Sequence, residues 1–148
     1  MRIKELMTKK VYTVGPDDFL DKVFLLFNFE SIRHVPVVEK GKLVGIISDR
    51  DMKKILGPKK RIVESEKGTQ YTVHARKVRT LMSRSVTTIS PEEKTSDAAA
   101  IMAKRKIGCL PVVVKGRLVG ILTATDILKA YVKLSIEMEK MIKKLDLG

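Results

Sequence analysis

Apolar runs broken by Gly, Pro and charged residues recur along this chain at a fixed offset. Shifting the sequence by 75 positions aligns Leu6 to Asp51 with Leu81 to Asp126 without a gap, and 16 of the 46 pairs are identical. Leu6, Met7, Pro16, Pro36, Val37, Gly41, Gly45 and Asp51 are among the residues that meet their own kind. Other pairs keep their character, such as Val14 with Ile89 and Ser48 with Thr123. Register held through several elements marks a tandem duplication.

Each copy predicts the same elements. A short helical segment (Ile3 to Met7, Val78 to Met82) precedes a β-branched run at Val11 to Val14 or Val86 to Ile89. A helix is expected next. Ser90-Pro91-Glu92-Glu93 has the order of a capping box, with Gly15-Pro16-Asp17-Asp18 as its weaker counterpart. Leu20, Val23, Phe24 and Phe27 form an apolar face in copy one, and Ala98, Ala99 and Met102 a smaller one in copy two. A hairpin follows, with Val35 to Val38 turning through Lys40-Gly41-Lys42 into Leu43 to Ile47, and Leu110 to Leu122 repeating it. Gly41 and Gly116 suit the positive φ of such a turn. Nearly continuous apolar runs predict strands buried on both faces, and Pro36 and Pro111 favour an edge or strand-start position. Ser48 or Thr123 then opens another helix. The expected fold class is α/β (α+β): two β-α-β-β-α repeats packed sheet to sheet with pseudo-twofold symmetry, plus a C-terminal amphipathic helix.

Composition narrows the function. At 148 residues the chain suits one compact unit or two small ones, and 44% apolar residues supply a core. No apolar run approaches the ~18 residues of a membrane span, and the opening residues lack the apolar stretch of a secretory signal. One cysteine and two histidines exclude a Cys/His zinc site within one chain. The lone Cys109 fits a reducing compartment, so a cytoplasmic location is expected. No phosphate-loop signature, metal cluster or nucleophile–base pairing is visible, so the chain is not expected to be an enzyme and no cofactor is required. The net charge of +13 favours anionic partners.

The Leu-Met-Thr/Ser opening, the Val-Pro-Val-Val strand, the Gly turn and Gly-Ile-Ile/Leu-Ser/Thr-x-x-Asp, all occurring twice, resemble a tandem pair of CBS domains over residues 2–130. The resemblance implies a regulatory ligand sensor, often a homodimer. It would bind adenosine-containing ligands in clefts between repeats and act on an effector protein. AMP, ADP and ATP are the leading ligands, ahead of S-adenosylmethionine or NAD, because positive charge favours phosphate. Boundaries are expected at 2–58 for repeat one, 59–76 for a basic linker, 77–131 for repeat two and 132–148 for a helical tail.

The resemblance also nominates binding residues. Asp51 and Asp126 would accept hydrogen bonds from ribose hydroxyls, and Ser48, Arg50, Thr123 and Thr125 belong to the same motif, whose hydroxyls face phosphate. Ser48-x-x-Asp51 and Thr123-x-x-Asp126 read equally as helix caps, a role worth ~1 kcal/mol without any ligand. Beside Pro36, Arg33 and His34 would meet phosphate, or form a solvated pair; His34 adds pH dependence. Beside Pro111, copy two has Gly108 and Cys109, so the two sites should differ. Cys109 reads as a small packing residue that borders the site. Tyr12, Thr13, Thr87 and Thr88 would border adenine or serve as ordinary strand residues.

Residues Met52 to Met82 carry nine basic and two acidic side chains, +7 of the total +13. This segment is open to three readings: a collar attracting polyphosphate ligands, a nucleic-acid contact, or a solvated linker. Tyr71 alone makes a poor base-stacking platform. An alternative function is therefore a basic adaptor for nucleic acid or an acidic protein, with vestigial ligand sites. In the tail, Ile127, Tyr131, Leu134, Met138, Met141 and Leu145 follow 4-3-4-3-4 spacing, the seam of a heptad helix. Such a helix would pack on a partner chain or on its own core.

Overall fold

The computed structural model describes residues 1–56 and 76–147. The expected basic linker, Arg76 apart, lies outside the described residues, as does Tyr71. In chain order the elements are α1 (Ile3–Leu6), α2 (Leu20–Phe29), β1 (His34–Glu39), β2 (Lys42–Ser48), α3 (Asp49–Leu56), a 3-10 turn at Val78–Thr80, α4 (Thr95–Arg105), β3 (Cys109–Val114), β4 (Arg117–Thr123) and α5 (Ala124–Leu147). Both expected hairpins and the helices after them are present. The chain is a mixed α/β fold of two repeats with a C-terminal helix.

Two compact units emerge. One contains Lys10–Thr87 and Lys115–Leu118; the other contains Met1–Lys9, Thr88–Val114 and Val119–Gly148. In the first, β1 and β2 pair antiparallel from His34 opposite Ser48 to Glu39 opposite Lys42. Lys40 (φ 52°) and Gly41 (φ 82°) supply the two positive angles of a tight hairpin turn. Val14 adds a parallel bridge to Val37, so the expected first strand is represented by one bridged residue. Pro36 is fully buried, third in β1. Its missing N–H lies on the side that Val14 bridges, opposite the β2 ladder, so no hairpin hydrogen bond is lost. The core packs Val14, Leu20, Val23, Val35, Val37, Ile47, Met52, Val78 and Met82, with Phe24 and Phe27 partly buried against it.

The second unit repeats the design with smaller side chains. Ile89 bridges Val112 in parallel; the turn of the second copy's hairpin, Lys115 (φ 52°) with Gly116 (φ 80°), has the same two positive angles as the first. Ile3, Ile89, Ala98, Met102, Leu110, Val112 and Leu122 form its core. Ala98 stands where the first unit has Val23, which gives the thinner helix face that the sequence predicts.

Each unit is closed by the opening segment of the other copy. In the first unit, Val78 donates its N–H to the Asp18 carbonyl (2.8 Å), Arg79 to Pro16 (2.9 Å), and Ser83 exchanges two hydrogen bonds with Ile46. In the second, Ile3 donates to Glu93 (3.0 Å), Lys4 to Pro91 (3.0 Å), and Thr8 exchanges two with Ile121. Val78 and Ile3 are completely buried, each worth roughly 1.5–3 kcal/mol of apolar burial. Ion pairs mark the same exchange, Arg79 with Asp17 at 2.6 Å and Lys4 with Glu92 at 3.1 Å.

That exchange corrects the expected helix starts. Ser90 to Glu93 does form local bonds: Ser90 N–H donates to Glu93 Oε2 (2.6 Å) and Glu92 N–H to Ser90 Oγ (3.3 Å). They close a turn, and α4 begins only at Thr95. Likewise Gly15 N–H donates to Asp18 Oδ2 (2.7 Å), while α2 begins at Leu20. The intervening residues, Lys94 and Phe19, are held extended by antiparallel bridges to Arg2 and Lys77. A residue paired as a strand cannot also continue a helix, so helix entry is delayed.

Candidate functional site

The β2 to α3 corner gathers several of the nominated side chains. Ser48 N–H donates to Asp51 Oδ2 at 2.9 Å, and Asp51 N–H donates to Ser48 Oγ at 3.1 Å. This reciprocal pair satisfies two backbone donors that a helix start leaves open. Asp49 N–H donates to the Arg33 carbonyl at 2.9 Å, which ties the entrance of β1 to the start of α3. Strand register places His34 opposite Ser48.

Charge at this corner is mixed. Burial pushes the His34 imidazole below its usual pKa of 6.5; the Asp49 and Asp51 carboxylates oppose that shift, while Arg33 and Arg50 reinforce it. Arg33 and Arg50 are exposed, whereas Ser48 and Asp51 are half-buried. Two exposed cations thus flank a hydrogen-bonded hydroxyl–carboxylate pair. Asp49, inside the Ser48-Asp49-Arg50-Asp51 motif but not among the nominated binding residues, is the first of the two carboxylates that act on His34.

The β4 to α5 corner of the other unit has the same frame. Thr123 N–H donates to Asp126 Oδ2 (2.9 Å), Asp126 N–H to Thr123 Oγ1 (3.2 Å), and Ala124 N–H to the Gly108 carbonyl (2.9 Å). Its chemistry is different. Gly108, Cys109, Ala124 and Thr125 occupy the positions of Arg33, His34, Asp49 and Arg50. The Cys109 thiol is pushed up to about 12, first by burial and then by the Asp126 carboxylate, so it stays protonated at neutral pH. That agrees with a packing role and opposes nucleophilic chemistry. In each corner Oδ2 of the carboxylate is engaged by the cap; among the described residues Oδ1 accepts no hydrogen bond.

The remaining nominated residues are less concentrated. Tyr12 is exposed and donates its hydroxyl to Glu30 Oε2 at 2.9 Å, a tether that sequence reasoning missed because it spans 18 residues. Thr13 and Thr88 are exposed and Thr87 is half-buried. Pro36 and Pro111 are fully buried in β1 and β3, so they shape the strand entrances rather than offer polar contacts. Among the described residues no group of three His, Cys, Asp or Glu side chains is placed to hold a metal ion, and no helix is long and apolar enough to cross a membrane.

A duplicated hairpin unit with matched caps at both strand-to-helix corners defines a paired-repeat module. Comparison with known proteins gives its family: the chain matches the CBS domain over residues 3–57 and 78–133, and belongs to that family. A CBS domain-containing protein of Dictyostelium discoideum is 33% identical over 133 residues, covering 88% of this chain and 91% of the relative. The CBS domain pair of protein MJ0100, solved with 5′-methylthioadenosine and S-adenosyl-L-methionine, superposes with a TM-score of 0.74 at 27% identity, covering 90% of this chain and 97% of the other. The fold is also that of CBSX2 in complex with AMP, with a TM-score of 0.76 at 24% identity over 90% of this chain and 98% of that one.

Proposed function

We propose that this chain is a non-catalytic sensor that binds adenosine-containing ligands at its strand-to-helix corners and passes the bound state through a homodimer to an effector protein. One observation carries the reading. The hydroxyl–carboxylate corner occurs twice, 75 residues apart, each time with a carboxylate oxygen left over from capping. A carboxylate beside an open hydroxyl is suited to a ribose cis-diol, and charge-assisted hydrogen bonds are the stronger kind. The related pair in MJ0100 was solved with two ligands that share the adenosyl group and its methylated 5′-sulfur, which supports an adenosine-containing class.

Ligand preference follows from the corners' charge. Arg33, His34 and Arg50 favour the phosphates of AMP, ADP or ATP at the first-copy corner, with Ser48, Asp51 and Pro36 shaping the site. Gly108, Cys109 and Thr125 offer no such charge, so the second corner is the less phosphate-selective one. Thr123 and Asp126 would hold ribose there, and Tyr12, Thr13, Thr87 and Thr88 would border the base. A single cysteine and the absence of a spanning helix among the described residues fit work in the cytoplasm.

Thermal melting with AMP, ADP, ATP, NAD, S-adenosylmethionine and a short oligonucleotide tests the reading. At ~100 times its dissociation constant a ligand adds ~2.7 kcal/mol, and at about 2–4 °C per kcal/mol the midpoint rises by roughly 5–11 °C. No shift with any adenosine compound at millimolar concentration removes the sensor function. Salt-sensitive binding of the oligonucleotide alone replaces it with the basic adaptor.

A further inference from the structure

We infer that the C-terminal half of α5 is a coiled-coil seam whose partner is the same helix of a second copy of this chain. The heptad spacing of Ile127, Tyr131, Leu134, Met138, Met141 and Leu145 left two possible neighbours, the chain's own core or another helix. Exposure separates them. Only Ile127 packs on the core of its unit, while the other five seam residues are 49–77% exposed. Ile142 lies on the same face and is 51% exposed. A stripe meant for its own core would be covered over the length of the helix; this one is uncovered beyond Ile127.

Charge favours a second copy over an anionic partner. Along α5, Lys129, Lys133, Lys140, Lys143 and Lys144 face Asp126, Glu137, Glu139 and Asp146, a net +1 in a chain of +13. A surface built for lipid headgroups or nucleic acid would concentrate the positive charge, and this helix nearly cancels it. Two highly basic chains repel least where each is close to neutral. The apolar content is adequate: Tyr131, Leu134, Met138, Met141, Ile142 and Leu145 are each about half exposed or more on one face, the large apolar side chains that the core of a homodimer interface uses. A 3.5-residue repeat on both helices lets identical seams interlock as knobs into holes.

This inference supplies the interface for the homodimer of the proposed sensor, and its test is independent of ligand. Sedimentation equilibrium of the full chain at micromolar concentrations should give twice the 16.7 kDa monomer mass. Met138→Glu combined with Met141→Glu should weaken the dimer by at least ~100-fold, because two unpaired charges would enter an apolar seam. Lys140→Glu on the polar face should leave the mass unchanged. Hydrogen exchange of the wild-type chain provides a readout without substitution, with amides 128–145 protected at high concentration and released on dilution. A monomeric wild type, a seam variant that stays dimeric, exchange indifferent to concentration, or cosedimentation with anionic vesicles in place of self-association would each overturn the seam. A monomeric seam variant still stabilised by AMP upholds the seam and shows ligand binding to be separate from it. A dimer that ignores every adenosine compound defeats only the sensor.

Discussion

The carbonyl oxygen of Thr8 lies 3.0 Å from where a Cβ on Gly120 would stand, and Ser83 approaches Gly45 in the same way at 2.9 Å. The opening segment of each copy crosses the hairpin of the other at a residue without a side chain. Met7 Sδ and Met82 Sδ stand 2.6 Å and 2.8 Å from the two virtual Cβ positions, but a methionine can swing away. The carbonyls cannot, because Thr8 and Ser83 are each fixed by two backbone hydrogen bonds. Gly120→Ala and Gly45→Ala should therefore each cost ~1–3 kcal/mol, by analogy with overpacking in cores. Gly108→Ala meets no atom within 4 Å and should melt within ~0.5 kcal/mol of wild type. Equal midpoints for Gly120→Ala and Gly108→Ala would mean that the crossing is loose.

The caps and the ribose assignment separate in one pair of melts. Without ligand, Asp51→Ala or Asp126→Ala loses the acceptor of a half-buried cap hydrogen bond and should cost ~1 kcal/mol. With AMP at saturating concentration the double variant should lose the ligand shift as well. A normal apo midpoint would deny the capping role. A surviving AMP shift would remove the carboxylates from ribose binding while leaving the caps intact.

Cys109 should resist alkylation. Its thiol is buried and held up to about 12, so the reactive thiolate is scarce at pH 8. Mass spectrometry should show slow labelling by iodoacetamide in the native chain and rapid labelling in denaturant. Fast native labelling at one equivalent would show that the β3 entrance opens readily.

Much of this architecture was legible because duplication amplifies weak signals. Lys40-Gly41 alone is an ordinary turn candidate; with Lys115-Gly116 at the same offset it fixes a hairpin in each copy. The reciprocal Ser48–Asp51 and Thr123–Asp126 caps were legible for the same reason. The exchange of opening segments was not. Leu6 and Met7 are identical to Leu81 and Met82, so either segment carries side chains fit for either hairpin, and a repeat alignment is blind to which one closes it. The helix starts failed as a consequence: Ser90 and Glu93 have the residue types of a capping box, but pairing of Lys94 with Arg2 holds the chain extended for one more residue. Asymmetry between the corners was readable from Arg33, His34 and Arg50 against Gly108, Cys109 and Thr125. The tail's neighbour was not readable, because heptad spacing serves a core and a partner equally until exposure is known.

His34 gives the last prediction, a pH dependence of stability with a definite sign. Burial depresses its folded-state pKa below 6.5, and the nearby Asp49 and Asp51 carboxylates only partly offset this. Between the folded value and 6.5, the unfolded chain binds more protons than the folded one, so stability rises with pH through that window. The contribution is fully present above the unfolded pKa and is lost as pH falls through the folded pKa. Lowering pH from about 7.5 to 5 should thus lower the melting midpoint, and His34→Gln should flatten that part of the fall without changing the signals of the other groups. Carboxylates titrating below this range add their own losses, which is why the comparison rests on the difference between the two proteins. Parallel curves for wild type and His34→Gln would show that the imidazole is as well solvated folded as unfolded, contrary to its place opposite Ser48 at the entrance of β1.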